Sequence, residues 1–540
     1  VNGLISDSSS STGSFGMLRV GGGGANLVLR TKSANISIGN MNTYPYVMNS
    51  GAGNYNIAIG TETMMSQTSG ERNVGVGYQA GRSNVGGDYN TFMGFGAGRG
   101  TTSGTYAGNT GLGYQALYTV NTGDNNVAIG RNALYQLDKG SDSVGIGKSA
   151  GYYATGSYNT FVGSDAGLGG QTSAPYSSGE RNTAVGYKAL QDFTTGEHNV
   201  AIGYEAAENI TTGNYNTVVG YNAYQGATGG SETVSVGYQA GAIAQGGESV
   251  LIGYQAGYGT SGGSGPNGSW NVAIGKQALM SQRTGARRNV AIGYRSLYRL
   301  LDNGEDSVAI GYESGLYATG SYNTFVGKHA GKGGTTTAPY SSGQYNVAMG
   351  YQTLDAFTTG YKNTAIGSFN QSAITTGYEN TSVGYQTLYT MTTGYWNTAV
   401  GTQAGYANLT GQRNVFVGQW AGRYEENSYN TYIGYEAGQG SSSGNASNTF
   451  NVGIGYQALK LARTATQNVA VGNNAGTNMD EGDDNVLLGA YSGLAMTDGS
   501  KNIVIGRDAG KDISTGDSNV AIGHQALYVE NTGTYAVAIG

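Results

Sequence analysis

Short apolar alternations, each closed by a glycine, run along most of the chain. In "NVAIG" at 126–130, Val127 and Ile129 flank a small residue, the period-two signature of a strand. Gly130 then permits a bend. The same figure (Asn or Ser, then Val, Thr or Ile, a small residue, Val or Ile, and glycine) recurs with closing glycines from Gly39 to Gly540. There are twenty-nine such units, mostly 17 residues apart, never closer than 16, with a minority stretched to between 19 and 23. The segment "ATGSYNTFVG" occurs at 154–163 and again at 318–327, because residues 151–196 return as 315–360. Repeats of this kind are the primary sign of a stacked architecture.

A unit of this length has no room for a helix of ten residues or more. It accommodates two short strands and two turns, which is one coil of a solenoid. The expected fold is therefore all-β: a parallel β-solenoid, or β-roll, of about 17-residue coils. Coils stacked at ~4.8 Å pair their backbone groups with the next coil, and the whole set would form a rod on the order of 140 Å long. The leading Asn of each unit, as at Asn56, Asn73, Asn126 and Asn199, is expected to form a side-chain ladder, as amides do at stacked identical positions.

Composition supports an ordered but unusual chain. Glycine is 97 of 540 residues, far above the usual ~7%. Only 11% of residues are charged, yet 43 are Tyr, which argues against a charge-rich disordered chain. The net charge of −6 comes without a basic cluster longer than Arg287-Arg288, so nucleic acid is not an expected partner. There are no cysteines, hence neither disulfides nor thiolate metal sites. No apolar run reaches the ~18 residues of a membrane span. The chain begins at Val1 and ends within the pattern at "AVAIG", so further segments are expected beyond both ends.

The motifs "SVAIG" (307–311), "NVAIG" (126–130, 199–203, 271–275, 289–293, 519–523) and "AVAIG" (536–540) resemble the head repeats of the YadA-like trimeric adhesins. The resemblance covers nearly all of residues 35–540. It implies a left-handed parallel β-roll in each of three closely packed chains. The longer form "NTAVGYKAL…TTG" and the opening "SSSSTGSFGMLRVGG" (8–22) look more like the tail-fibre proteins of marine bacteriophages. The adhesin repeat is shorter, so the extra residues belong in a turn. Residues 1–34 lack the repeat and are read as a connector or attachment segment; residues 35–540 form the repeat region. Homotrimer formation also has physical support, since a coil this small has a thin core for its surface.

Long intervals place inserted loops at 40–60, 95–113, 164–186, 254–275, 328–350 and 435–455. All four prolines, Pro45, Pro175, Pro266 and Pro339, fall in them, as expected of a residue that cannot donate to a sheet ladder. The middle strand position is large before most of them: Phe92, Phe161, Phe325 and Tyr432, with Leu251 before a fifth. These side chains are expected to face outward, or into a groove between chains, and to anchor the loops.

The position before each leading Asn mixes charge and aromatics, as at Tyr55, Arg72, Trp270 and Trp396, which marks a solvent-facing stripe. Trp270, Trp396 and Trp420, with the loop residues Tyr176 and Tyr340, are the candidate receptor contacts, suited to sugars by their flat apolar faces. Cross-coil ring stacking is the competing account.

Catalytic signals are weak. "GTSGG" (259–263) and "GSSSG" (440–444) match G-x-S-x-G without the elbow or histidine partner that motif needs. The three histidines are isolated, and "DEGDDN" (480–485) lacks the spacing of a calcium loop. No catalytic, metal or cofactor-binding residue is assigned, and no enzyme is expected. The expected role is a tail fibre of a virion that attaches to a host-cell glycan or protein and joins other tail proteins. The alternatives are the head of an adhesin on a bacterial surface and a polysaccharide-cleaving tailspike, which would need a carboxylate pair in a groove.

Overall fold

The computed structural model describes residues 27–32, 34–40, 53–174, 176–244, 246–259, 268–281, 285–300, 304–334, 340–441 and 447–540. All four prolines lie outside this set, so the expectation that they mark loops is not addressed by it. Among the described residues there is no helix, and every element is a strand or turn. The fold is a parallel β-solenoid of about 17-residue coils.

The chain divides into two compact units, 1–262 with 266–270, and 263–265 with 271–540. The first opens on an antiparallel pair, β1 (Leu27–Lys32) with β2 (Asn35–Asn40). From β2 the strands stack in parallel and in register through β3 (Ile57–Ile59) to β14 (Val250–Ile252). The second runs in the same way from β15 (Val272–Ile274) to β30 (Val537–Ile539). Within each unit register is unbroken by the insertions: across the long interval after Gly163, Phe161 still faces Ala184.

Among the described residues each coil from β3 onward shows one three-residue strand, not two strands as its length suggested. The remainder winds tightly because non-glycine residues enter the left-handed region at fixed places. In the coil after Gly130 these are Asn132 (φ 59°), Leu134 (φ 48°) and Asp142 (φ 56°). The turn segments are nonetheless laddered from coil to coil, as in Leu134 N–H to Ala150 O at 2.8 Å and Gln136 N–H to Tyr152 O at 2.9 Å. Strand-like extension is therefore unnecessary for the backbone to be satisfied.

The closing glycines have two independent reasons to be glycine. Gly130 has φ +132°, and a Cβ there would stand 2.5 Å from the carbonyl oxygen of Gly147 in the next coil. The leading Asn residues form the expected ladder, and it is buried. Asn56 Oδ1 accepts the backbone N–H of Asn73 at 2.9 Å and its Nδ2 at 3.1 Å. The same Nδ2 donates to Gly87 O at 2.9 Å, pinning the turn. Where serine replaces asparagine its hydroxyl takes over, as Ser143 does toward Asn159 N–H.

The strand's middle residue points into the coil, which corrects the outward expectation. Phe92, Phe161, Phe325 and Tyr432 are all buried, with Phe161 fully so. Period-two alternation allowed either face. The inward choice follows because the closing glycine and the following turn fold over the middle residue, leaving the first and third to the outside. Phe161 packs against Phe193 of the next coil (ring centroids 5.6 Å apart), and Phe325 repeats this with Phe357 at 5.7 Å. Phe92 meets an inserted residue, Tyr106, edge-on at 5.9 Å. Tyr106 itself is buried and donates its hydroxyl to Gly98 O at 2.7 Å.

Candidate functional site

Because only the middle strand residue is enclosed, each coil presents three outer columns that could meet a partner. The first is the residue before the leading Asn. It lies outside, as its mixed composition required, with Trp270 50% and Trp396 43% exposed. Its members bond across coils: Trp396 donates its indole N–H to Glu379, which also accepts Lys362 Nζ at 3.0 Å. The Arg413 guanidinium lies 4.4 Å from the Trp396 ring centre. Trp270 likewise donates to Glu248.

The second column, just after the closing glycine, carries tyrosines in ladders. Tyr204, Tyr221, Tyr238 and Tyr254 stack with centroids 5.0–5.3 Å apart and planes within 8°. A parallel set, Tyr361, Tyr378 and Tyr395, sits two residues before the leading Asn at 4.8–4.9 Å. Rings stacked at this distance cover one another's faces, so the ladder interiors offer rims and hydroxyls rather than flat apolar faces. At the stripe where sugar contacts were sought, stacking also runs across coils, with Tyr322 on Tyr345 and His198 on Tyr215, both at 4.8 Å.

Within each unit the candidate receptor residues stand on different coils. Trp270 and Tyr176 belong to the first unit, and Trp396, Trp420 and Tyr340 to the second. Trp420 is half-buried, donating to Gln403 Oε1 at 3.0 Å. The two loop tyrosines behave alike: Tyr176 lies over Tyr153 at 6.0 Å, and Tyr340 over Tyr317 at 6.2 Å. Each loop thus returns its tyrosine to the coil it left.

The third column had no place among the sequence candidates. From β3 to β30 the last strand residue is Ile, Val, Leu or Met without exception. These side chains point outward, and Met93, Ile129, Ile202, Ile310 and Met349, among others, are between 36% and 49% exposed. The signal was in the repeat itself, but alternation alone could not say which face was the core.

Chemistry beyond packing is sparse. Among the described residues no group of three His, Asp or Glu side chains could hold a metal ion. In the acidic stretch at 480–485, Asp480 pairs with Arg463, and Asp483 accepts Thr466 N–H and hydroxyl at 2.6 and 2.8 Å. His329 Nε2 lies 3.2 Å from Glu313 Oε2, and His198 stacks on Tyr215. One buried carboxyl stands out. Glu425 occupies a core position, and burial pushes its pKa up to about 7, against the Asn427 N–H that donates to Oε1 at 2.9 Å. Tyr432 lies beside it, and neither side-chain atom of buried Asn408, one coil earlier, has a hydrogen-bond partner.

The class these features define is a parallel β-solenoid with aliphatic, aromatic and charged outer columns. Compared with known proteins, the chain matches no family model and no curated sequence. No helix among the described residues is long and apolar enough to cross a membrane.

Proposed function

We propose that the protein is a structural fibre of a virion tail, built from three copies, that attaches to a host-cell surface through exposed aromatic and loop residues. The observation that carries this reading is the outward aliphatic column that runs without exception through β3–β14 in the first unit and through β15–β30 in the second. Nothing inside a coil requires it, since the enclosed middle position tolerates Gly, Ala, Ser, Leu, Phe and Tyr. An exposed column held aliphatic over so many coils exceeds the apolar patch a lone chain keeps in water. Three chains closed around an axis cover that face on every copy and leave no open surface for further association. The resemblance to adhesin head and phage-fibre repeats supports the same arrangement. Attachment then works by number: weak contacts repeated on three chains add through effective concentration.

Light scattering after size exclusion tests the assembly. The expected mass is three times the 55.5 kDa of one chain. A monomer at micromolar concentration would overturn the fibre reading as stated. Attachment is tested separately, by adsorption of the labelled chain to a panel of bacteria.

A further inference from the structure

One turn position of the repeat, tied to the next coil by a hydroxyl in several coils, carries a charged pair beside a groove in the second unit. Eight residues after the closing glycine the common residue is threonine, and its hydroxyl ties the turn to the next coil. Thr194 bonds Thr211 O at 3.0 Å, Thr211 bonds Thr228 O at 2.9 Å, and Thr358 bonds Thr375 O at 3.0 Å. The position also accepts other residues, Leu409, Ser514 and Asn531 among them in the second unit. In two consecutive coils it holds Arg463 and Asp480, which join in a two-toothed ion pair through Arg Nε and Nη2. The next coil returns to threonine at Thr497.

The exchange is not needed to hold the turn, because the backbone bonds are kept. Asp480 O still accepts the N–H groups of Arg463, Thr464 and Ala465 at 3.0–3.2 Å. What the exchange does is line a groove of about 410 Å³, walled by Ser441, Leu461, Arg463, Asn478, Asp480 and Thr497. That volume falls within the ~300–1,000 Å³ of small-molecule sites. Leu461 is 41% exposed there, an apolar wall beside a set of fixed donors and acceptors.

We propose that this groove is a subsite for a neutral pyranose unit of a surface polysaccharide. Leu461 offers a surface for the C–H face of the ring. The remaining lone pairs of the Asp480 carboxylate, the Arg463 Nη1 left outside the ion pair, the Asn478 amide and the Thr497 hydroxyl oxygen supply donors and acceptors of the kind adjacent sugar hydroxyls require. The charge of the surroundings selects against acidic sugars: Glu481 and Asp498 lie close enough to act on Arg463 together with Asp480. The inference rests on the attachment reading and gives it a ligand class and a place.

The test is saturation-transfer NMR on the whole chain with methyl glycosides of glucose, galactose and mannose, and with glucuronic acid. The wild type is compared with R463T/D480T, which restores the residue the repeat uses elsewhere, and with the exposed-site variant Asn478→Ala. At least one neutral glycoside is expected to bind, with affinity about tenfold weaker in R463T/D480T and an unchanged melting profile. Asn478→Ala is expected to weaken binding in the same direction. Absence of any neutral-glycoside signal, preference for the uronic acid, or undiminished binding by both variants would each overturn the subsite. A chain that adsorbs to bacteria yet binds no neutral glycoside leaves the attachment reading standing and removes the subsite alone.

Discussion

The ring of Phe161 fills the space that a side chain at Gly167 would need. A Cβ built on Gly167 would run into the ring carbons of Phe161, and Gly151 of the preceding coil stands against the ring's other edge. Phe325 has the same relation to Gly331 and Gly315, and Phe416 to Gly422 and Gly405. In ordinary coils the middle residue is small and Leu117, Leu134 or Leu190 fills the glycine's place. The core thus has two complementary fillings within a coil, small-then-Leu or Phe-then-Gly, and where a coil is small-then-Gly, as at Gly145 and Gly151, the next coil's ring fills the place. Gly167→Leu alone is expected to destabilise its coil by about 1–3 kcal/mol or more through overpacking, on top of left-handed strain at φ +53°. Phe161→Ala alone should cost roughly 3–5 kcal/mol. The double variant Phe161→Ala/Gly167→Leu should cost clearly less than the sum. Hydrogen exchange of residues 144–193 reads this locally, and additive losses would count against two fillings.

The buried amide ladder predicts a graded series at Asn199. Its Nδ2 donates to Gly213 O at 2.8 Å, and its Oδ1 accepts Asn216 N–H at 3.0 Å. Asn199→Ala leaves both groups unpaired and should cost about 1–3 kcal/mol. Asn199→Ser should be milder, since Ser143 and Ser307 hold the same position elsewhere. Denaturant unfolding monitored by exchange around residues 199–216 checks the order.

Glu425 couples the second unit to pH. Its folded pKa of about 7 lies above the ordinary carboxyl value, so between the two the folded chain holds a proton that the unfolded chain has released. The stability that Glu425 contributes is therefore full below the ordinary carboxyl range and is lost as pH rises toward 7, roughly 3 kcal/mol in all. Glu425→Gln should remove this dependence and leave the coils around 408–448 equally protected at pH 5 and pH 8. A wild-type profile that is flat over this range would exclude the coupling.

The outward aliphatic column makes a prediction that leaves the coil intact. Ile202→Lys with Ile252→Lys places two charges on an exposed face, three coils apart, where neither touches the core. Melting of the isolated chain should change by less than about 0.5 kcal/mol, while the assembly should shift toward monomer in light scattering. An unchanged assembly would place the contact face elsewhere on the coil.

Much of this was legible along the chain because the repeat spells its own constraints. The closing glycine of "NVAIG" announced a bend, and stacking at a fixed period explained why the leading Asn recurs. The outward stripe holding Trp270 and Trp396 followed from its mixture of charge and aromatics. The fate of Phe161 was not legible in the same way. An alternating three-residue strand has two faces, and the period alone cannot tell which one the turn folds over. Nor could spacing show that Leu134 and Asp142 adopt left-handed backbone, because that conformation is imposed by coil-to-coil hydrogen bonds rather than by local preference.

By itself, then, the sequence determined that the chain stacks in parallel coils of about 17 residues, since any other arrangement strands the backbone groups of so regular a repeat. Only the tertiary structure decided which columns face in and which face out. That choice places Phe161 against Gly167 and leaves Ile202 in solvent. It also sets Arg463 beside Asp480. The reason is physical: hydrogen bonding along the stack depends on period, which one coil already contains, whereas burial depends on how each turn closes over its strand, which only the folded coil and its neighbours define.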